Sequence, residues 1–143
     1  MTMIASALSY AAPSPRGRTA KSVVVGRVMS GIISLLLVAD ASVKFLAIKP
    51  VTDSAALLGY SPDAMPVVGT ILLACVALYV IPPTSVFGAL LLTGYLGGAI
   101  ASQFRVHSPL FGYTLFPTYV AAFVWGGLYL RNPKVRALVA FRP

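Results

Sequence analysis

Four long apolar stretches divide the chain, and shorter segments with polar, glycine or proline residues connect them. The stretches cover residues 23–48, 65–81, 84–104 and 110–130. An α-helix needs about 20 apolar residues to cross a hydrocarbon core about 30 Å thick, so each stretch is near the length of one crossing. Short connections make consecutive helices antiparallel neighbours. The pattern therefore predicts an all-α protein, a four-helix transmembrane bundle with up-down-up-down topology.

The third stretch is uncharged and rich in small residues. It follows Pro82 and Pro83, which suit a turn that leads into a helix, and it ends at Arg105. Its small residues recur at four-residue spacing, which places them on one helix face or on two adjacent faces, where another helix can approach closely. The predicted helix-packing positions are Gly94, Gly97, Gly98, Ala101 and Ser102. Their partner is expected to be the first helix, the fourth helix or another subunit.

The composition supports a location in a membrane. Hydrophobic residues make up 58% of the 143 positions and charged residues 10%, and the mean hydropathy is +0.88. A typical soluble domain has about 25% charged residues. A soluble fold of this size cannot bury so much apolar surface. The lipid bilayer is therefore the expected surrounding of the chain.

The net charge of +8 reflects basic residues clustered near the two chain ends. They are Arg16, Arg18, Lys21 and Arg27 before or at the first stretch, and Arg131, Lys134, Arg136 and Arg142 after the last. The positive-inside rule then predicts that both termini are cytoplasmic. Nucleic acid is not an expected partner, because no aromatic residues alternate with the basic ones outside the stretches.

The chain ends are expected to be tails around one membrane domain at 23–131. Residues 1–22 lack the order of a signal peptide, in which positive charge precedes an apolar core. We expect a flexible cytoplasmic tail there, with a transit peptide as the alternative. Residues 132–143 are expected to form a basic C-terminal tail.

Asp40 and Lys44 are opposite charges within one apolar stretch. They are four residues apart with the acid first, the favourable order for a helical pair. If the helix enters the hydrocarbon near Arg27, Asp40 lies about 20 Å inside, where an acid marks a functional site. If it enters near Val23, Asp40 lies close to the outer interface and Lys44 reaches water. The sequence leaves both interpretations open.

Tyr95 and Arg105 complete the candidate ligand-binding set with Asp40 and Lys44, because the first and third helices end on the same side. Several tyrosines are candidates for lining a pocket for a flat apolar molecule such as a quinone. They are Tyr60, Tyr79, Tyr95, Tyr113, Tyr119 and Tyr129. The alternative is that tyrosines belong to membrane interfaces or helix packing, and Trp125 suits an interfacial aromatic belt.

Motifs for common catalytic chemistries are absent from the sequence. It contains no nucleophile elbow, P-loop, dinucleotide fingerprint or CxxC pair. Cys75 is the single cysteine, so no intramolecular disulfide can form. His107 is the single histidine, and without a second histidine, a glutamate or a cysteine cluster it cannot make a metal site. We therefore predict no catalytic residue, no metal and no cofactor, with quinone as the open alternative.

The runs LYVIPPTSVFGALLLTGYLGGAIASQFRVHSPLF at 78–111 and WGGLYLRNPKVRALVAFRP at 125–143 resemble the DoxX-like family of small bacterial membrane proteins. The element at 38–45 and the turn at 58–60 match that family as well. The resemblance covers the chain apart from its N-terminal tail. One position departs from it: such sequences often carry a histidine before the arginine of the third helix, where this chain has Gln103.

The resemblance implies a four-helix, multi-pass protein of the bacterial inner (plasma) membrane. Some relatives are linked to quinone- or thiosulfate-coupled oxidation and to redox homeostasis, but the family supplies no catalytic residue set. The expected function is a non-catalytic accessory or interaction subunit that associates with itself or with a membrane protein partner. The first alternative is a quinone-binding subunit of a membrane oxidoreductase, and the second is a small-molecule or ion permease.

Overall fold

The structure is a computed structural model that describes residues 20–46, 48–61 and 63–139. Its α-helices are α1 (Ala20–Phe45), α2 (Lys49–Leu57), α3 (Ala64–Val80), α4 (Ser85–Arg105), α5 (Phe116–Arg131) and α6 (Pro133–Val139). A 3₁₀ turn (Pro82–Thr84) precedes α4, and a π-helical turn (Leu110–Thr114) precedes α5. The described residues contain no strand, which confirms the all-α class. Most of the predicted tail at 1–22 lies outside the described residues.

The fourth long helix, α5, begins later than the sequence predicts. The predicted stretch at 110–130 contains the π-helical turn, and the regular α5 starts at Phe116. Pro117 explains this boundary, because it lies in the first turn of α5, where a proline forfeits no helical hydrogen bond. Further into a helix the same residue would remove a bond and clash with the preceding turn.

Among the described residues, two helices are long and apolar enough to span a membrane. They cover Lys21–Phe45 and Pro82–Arg105, and the apolar helix Ala64–Val80 is shorter. Large apolar side chains stay exposed on the outer surface, with Leu35 72% and Phe111 81% exposed. Such a surface is unfavourable in water and suits a lipid environment.

The four long helices pack in a closed ring, in which α1 and α4 each contact both α3 and α5. Ser30, near the start of α1, bonds Tyr79 at the end of α3, and Gly26 lies against Leu130 at the end of α5. Neighbouring helices are therefore antiparallel. We call the end with the start of α1, the 3₁₀ turn and α6 the terminal end. The end with α2 and the π-helical turn is the loop end.

The tightest packing occupies the half of the bundle near the terminal end. Its largest fully buried side chains are Leu72, Tyr79, Leu92, Val124 and Leu128. The hydroxyl of Tyr79 donates to the Val124 carbonyl at 2.9 Å, so the hydroxyl of Ser30, also at 2.9 Å, donates to Tyr79. Arg131 donates to the Tyr79 carbonyl at 2.7 Å and lies over the tyrosine ring. Tyr79 thus ties α1, α3 and α5 together.

Glycine permits the closest helix approaches at this end. A Cβ added at Gly127 would lie 2.7 Å from the hydroxyl of Ser30, and one at Gly26 would lie 2.8 Å from the amide nitrogen of Arg131. Real side chains do not reach such distances, so α1 and α5 cross where both lack a side chain. A Cβ at Gly88 would likewise collide with the backbone of α3 at Tyr79.

The predicted basic tail at 132–143 contains helix α6. The side chain of Asn132 accepts a hydrogen bond from the Lys134 amide at 3.0 Å, and Pro133 begins the helix. Val135 is buried against the core. At least this part of the segment therefore packs against the bundle.

Candidate functional site

A cavity of about 830 Å³ occupies the half of the bundle near the loop end. Side chains from α1, α3, α4 and α5 line it, together with the segment after α2 and the π-helical turn. Most of the lining is apolar, and its main polar residues are Asp40, Lys44, Tyr60, Tyr95, Ser102 and Gln103. Ligand pockets typically have about 300–1,000 Å³ and combine apolar walls with a few polar groups. This cavity has both features.

The ion pair of Asp40 and Lys44 lies in the cavity wall. The ammonium nitrogen of Lys44 is 2.5 Å from Oδ2 of Asp40, one helical turn away on α1. Ala41 between them is fully buried, because this part of α1 packs against Gly69 of α3. The Lys44 side chain is 16% exposed and that of Asp40 48% exposed. The pair therefore presents a donor and an acceptor to a molecule in the cavity.

Tyr95 lies in the wall formed by α4. Its ring packs against the core, and its hydroxyl has no hydrogen-bond partner among the described residues. A buried or half-buried hydroxyl normally finds a partner. The Tyr95 hydroxyl is therefore available to donate to a bound molecule.

Residues 58–60, which we call the cover segment, form part of the cavity wall at the loop end. Leu58 and Tyr60 line the cavity, and Gly59 between them has φ of 76°, a conformation that favours glycine. The hydroxyl of Tyr60 is 2.7 Å from that of Ser102, and the guanidinium of Arg105 donates to the Leu58 carbonyl. Both contacts attach the cover segment to α4.

Arg105 thus has a different position from the other three predicted ligand-binding residues. Asp40, Lys44 and Tyr95 line the cavity, whereas Arg105 does not line it and binds the cover segment from outside. Its guanidinium holds the backbone carbonyl of Leu58 in the cover segment.

The small residues of α4 fall into two groups. Gly94, Gly98 and Ser102 line the cavity, and Gly97 and Ala101 are exposed on the outer surface. A Cβ added at any of the three glycines would meet nothing within 4 Å. These glycines therefore make no close helix contact within the described chain. Packing of Gly97 and Ala101 against another subunit stays a prediction.

The candidate tyrosines also separate by position. Tyr60, Tyr95 and Tyr113 line the cavity, and Tyr119 lies in a groove between α1 and α5. Tyr79 belongs to the core, and the ring of Tyr129 lies 5.1 Å from the guanidinium of Arg136. The indole of Trp125 donates to Thr93 of α4 at 2.9 Å, so it joins two helices.

Gln103 and Met65 are cavity residues that the sequence analysis did not assign to a site. The cavity wall formed by α4 could have been predicted in part, because Tyr95, Gly98 and Ser102 are three and four residues apart and share one helix face. No comparable pattern marks Met65. Among the described residues, no group of three or more histidine, cysteine, aspartate or glutamate side chains is arranged to hold a metal ion.

Comparison with known proteins identifies the family. The model of the DoxX-like family matches residues 28–127, a range that contains every residue lining the cavity. No curated protein and no solved structure is significantly similar to the chain. The family match covers well over half of the sequence, and the chain therefore belongs to the DoxX-like family.

Proposed function

We propose that this DoxX-like membrane protein is a non-catalytic accessory protein that binds an amphipathic small molecule of the quinone class in its cavity and serves redox homeostasis. The observation that carries the proposal is the convergence of Asp40, Lys44 and Tyr95 on one apolar-walled cavity. A polar group in such a space favours an oriented ligand with a polar head.

The proposed topology has four crossings of the bacterial inner membrane. The exposed apolar side chains on the outside of the ring support this topology, because lipid is their favourable surrounding. Lys21, Arg27, Arg131, Lys134 and Arg136 lie at the terminal end. That end is cytoplasmic by the positive-inside rule, and the cavity faces the opposite side of the membrane.

The chemistry of the cavity suits a quinone head group. A quinone has two carbonyl oxygens that accept hydrogen bonds, and Lys44 and Tyr95 offer donors from different helices. The ring of Tyr113 and the apolar walls suit the flat body of the molecule. The protein is accessory because it binds the quinone, whereas a membrane protein partner supplies the electrons.

The permease alternative has less support. Transport needs a path to both sides of the membrane, and the terminal half of the bundle is filled by fully buried side chains such as Leu72, Leu92 and Leu128. The geometry favours binding from one side over passage through the protein.

Binding of a benzoquinone analogue to the protein in lipid nanodiscs tests the proposal. We expect Lys44→Met and Tyr95→Phe to weaken binding about tenfold each, because each removes a donor to a quinone carbonyl and a hydrogen bond in a charged site contributes about 1.5 kcal/mol. Lys49→Met is the matched control, since Lys49 is exposed on α2 and does not line the cavity. Unchanged affinity in both cavity variants would refute the proposed site. Turnover of the quinone by the purified chain alone would refute the non-catalytic assignment.

A further inference from the structure

A smaller apolar groove of about 280 Å³ lies between α1 and α5, and we call it the side groove. Its walls include Met29, Ile32 and Ile33 from α1 and Phe116, Tyr119 and Phe123 from α5. None of its lining residues is charged. Ile32 is 62% exposed, so the groove is open to the outer surface of the ring.

The side groove adjoins the cavity. Leu36, Phe116 and Val120 line both spaces, so the groove and the cavity lie side by side between α1 and α5. Leu36 and Phe116 are themselves partly exposed on the outer surface. The apolar side groove thereby lies between the cavity and the outer surface of the ring.

The chemistry of the side groove selects its occupant. A polar ligand would lose its hydrogen bonds among these side chains, which is costly in an apolar surrounding. A helix from another protein has a diameter of about 10–12 Å with its side chains and does not fit into a depression of this size. A flexible hydrocarbon chain loses no hydrogen bond there, because its alternative surrounding is lipid.

We propose that the side groove holds the hydrocarbon chain of the molecule whose head group occupies the cavity. The ligand is therefore a membrane-resident amphiphile with one polar head and a single chain, and it enters the cavity sideways from the bilayer between α1 and α5. This inference rests on the proposed function and adds the shape of the ligand and its route. Because the hydrocarbon chain of the ligand exchanges a lipid surrounding for apolar walls, the groove selects ligands by their shape.

Two probes and three variants test the route. The probes are a benzoquinone with a decyl chain and the same ring with a methyl group in place of the chain. Ile32→Trp and Phe123→Trp each add bulk to one wall of the groove without touching the cavity. Leu35→Trp is the matched control, because Leu35 is 72% exposed on α1 and lines neither space.

We expect each groove variant to bind the decyl probe about tenfold more weakly, since overpacking of a filled site lowers affinity by about a factor of ten. The groove variants are expected to bind the methyl probe at the wild-type level, which also shows that they are folded. The Leu35→Trp control is expected to bind both probes at the wild-type level. Equal binding of the decyl probe by wild type and both groove variants would overturn the inference and leave the proposed function standing. Failure of the wild-type protein to bind either probe would overturn both.

Discussion

The hydroxyl groups of Tyr60 and Ser102 lie 2.7 Å apart and join the cover segment to α4 across 42 positions of the sequence. The Ser102 hydroxyl donates to the Gly98 carbonyl at 2.9 Å, so the hydrogen between the two hydroxyls belongs to Tyr60. This bond lies at the loop end of the cavity, where Arg105 holds the neighbouring carbonyl of Leu58. Opening of the structure at the cover segment therefore requires the Tyr60 bond to break.

The first prediction concerns this opening. Tyr60→Phe removes the bond, which contributes about 1 kcal/mol, and is expected to raise the population of the open cavity about fivefold. The measurement is the rate at which a water-soluble maleimide labels a cysteine introduced at the cavity-lining Ala99, in a Cys75→Ala background. Tyr113→Phe is the control, because Tyr113 lines the cavity and makes no hydrogen bond through its hydroxyl among the described residues. Equal labelling rates in all three proteins would show that the bond does not hold the cover segment.

The second prediction concerns the ion pair. Asp40→Asn leaves the mostly buried ammonium of Lys44 without its counter-charge, whereas Asp40→Asn combined with Lys44→Gln removes both charges. Because Asp40 is nearly half exposed, we expect a coupling of about 0.5 kcal/mol, with the double variant more stable than the sum of the single losses predicts. Unfolding of the four proteins in detergent measures it. Strict additivity would mean that solvent screens the pair completely.

Much of the helical framework follows from the apolar runs. A segment in lipid must satisfy its backbone hydrogen bonds internally, so apolar length alone indicates a helix. The predicted stretch at 84–104 matches Ser85–Arg105 closely. The inward face of each helix is harder to predict, because nearly every position is apolar and little polar contrast distinguishes the two sides.

In the candidate site, too, contacts within one helix are predictable from the sequence and contacts between helices are not. The four-residue spacing of Asp40 and Lys44 predicts their pairing, since it depends on one helix alone. The contact of Arg105 depends on the path of the cover segment, which the positive φ of Gly59 directs back to α4. The bond from Trp125 to Thr93 likewise depends on how two helices are rotated about their axes. Such long-range geometry leaves no local pattern in the sequence.

The third prediction concerns the polar contacts of the core. Tyr79→Phe removes a fully buried hydroxyl that bonds both Ser30 and Val124, and it leaves the Ser30 hydroxyl without its acceptor while the Val124 carbonyl keeps only its helical bond. We expect a loss of about 2 kcal/mol in the free energy of unfolding in detergent. Tyr95→Phe is the comparison, because its hydroxyl bonds no described residue, and it is expected to leave stability within about 0.5 kcal/mol of wild type. Similar losses in the two variants would contradict the assigned role of Tyr79.

The fourth prediction separates glycines that permit helix crossing from glycines that do not. Gly127→Ala places a methyl group 2.7 Å from the Ser30 hydroxyl and 3.2 Å from the Ser30 amide nitrogen, so Ser30 must give up its bond to Tyr79 or α1 and α5 must move apart, and we expect a loss of about 2 kcal/mol in stability. Gly97→Ala meets nothing within 4 Å, and its higher helix propensity is expected to raise the stability of the monomer by up to about 1 kcal/mol. Thermal unfolding in detergent compares the two variants. If Gly127→Ala were harmless, the close crossing of α1 and α5 would be wrong.

Gly97 also tests whether the exposed face of α4 packs against a second copy. If it does, Gly97→Leu is expected to weaken self-association in lipid, because a bulky side chain keeps two helix backbones from approaching closely. The monomer is expected to keep its stability, since the position is open within the chain. Cross-linking in native membranes measures association, and unfolding in detergent measures the monomer. A loss of association with unchanged monomer stability would place a subunit contact at Gly97, and unchanged cross-linking would refute that contact.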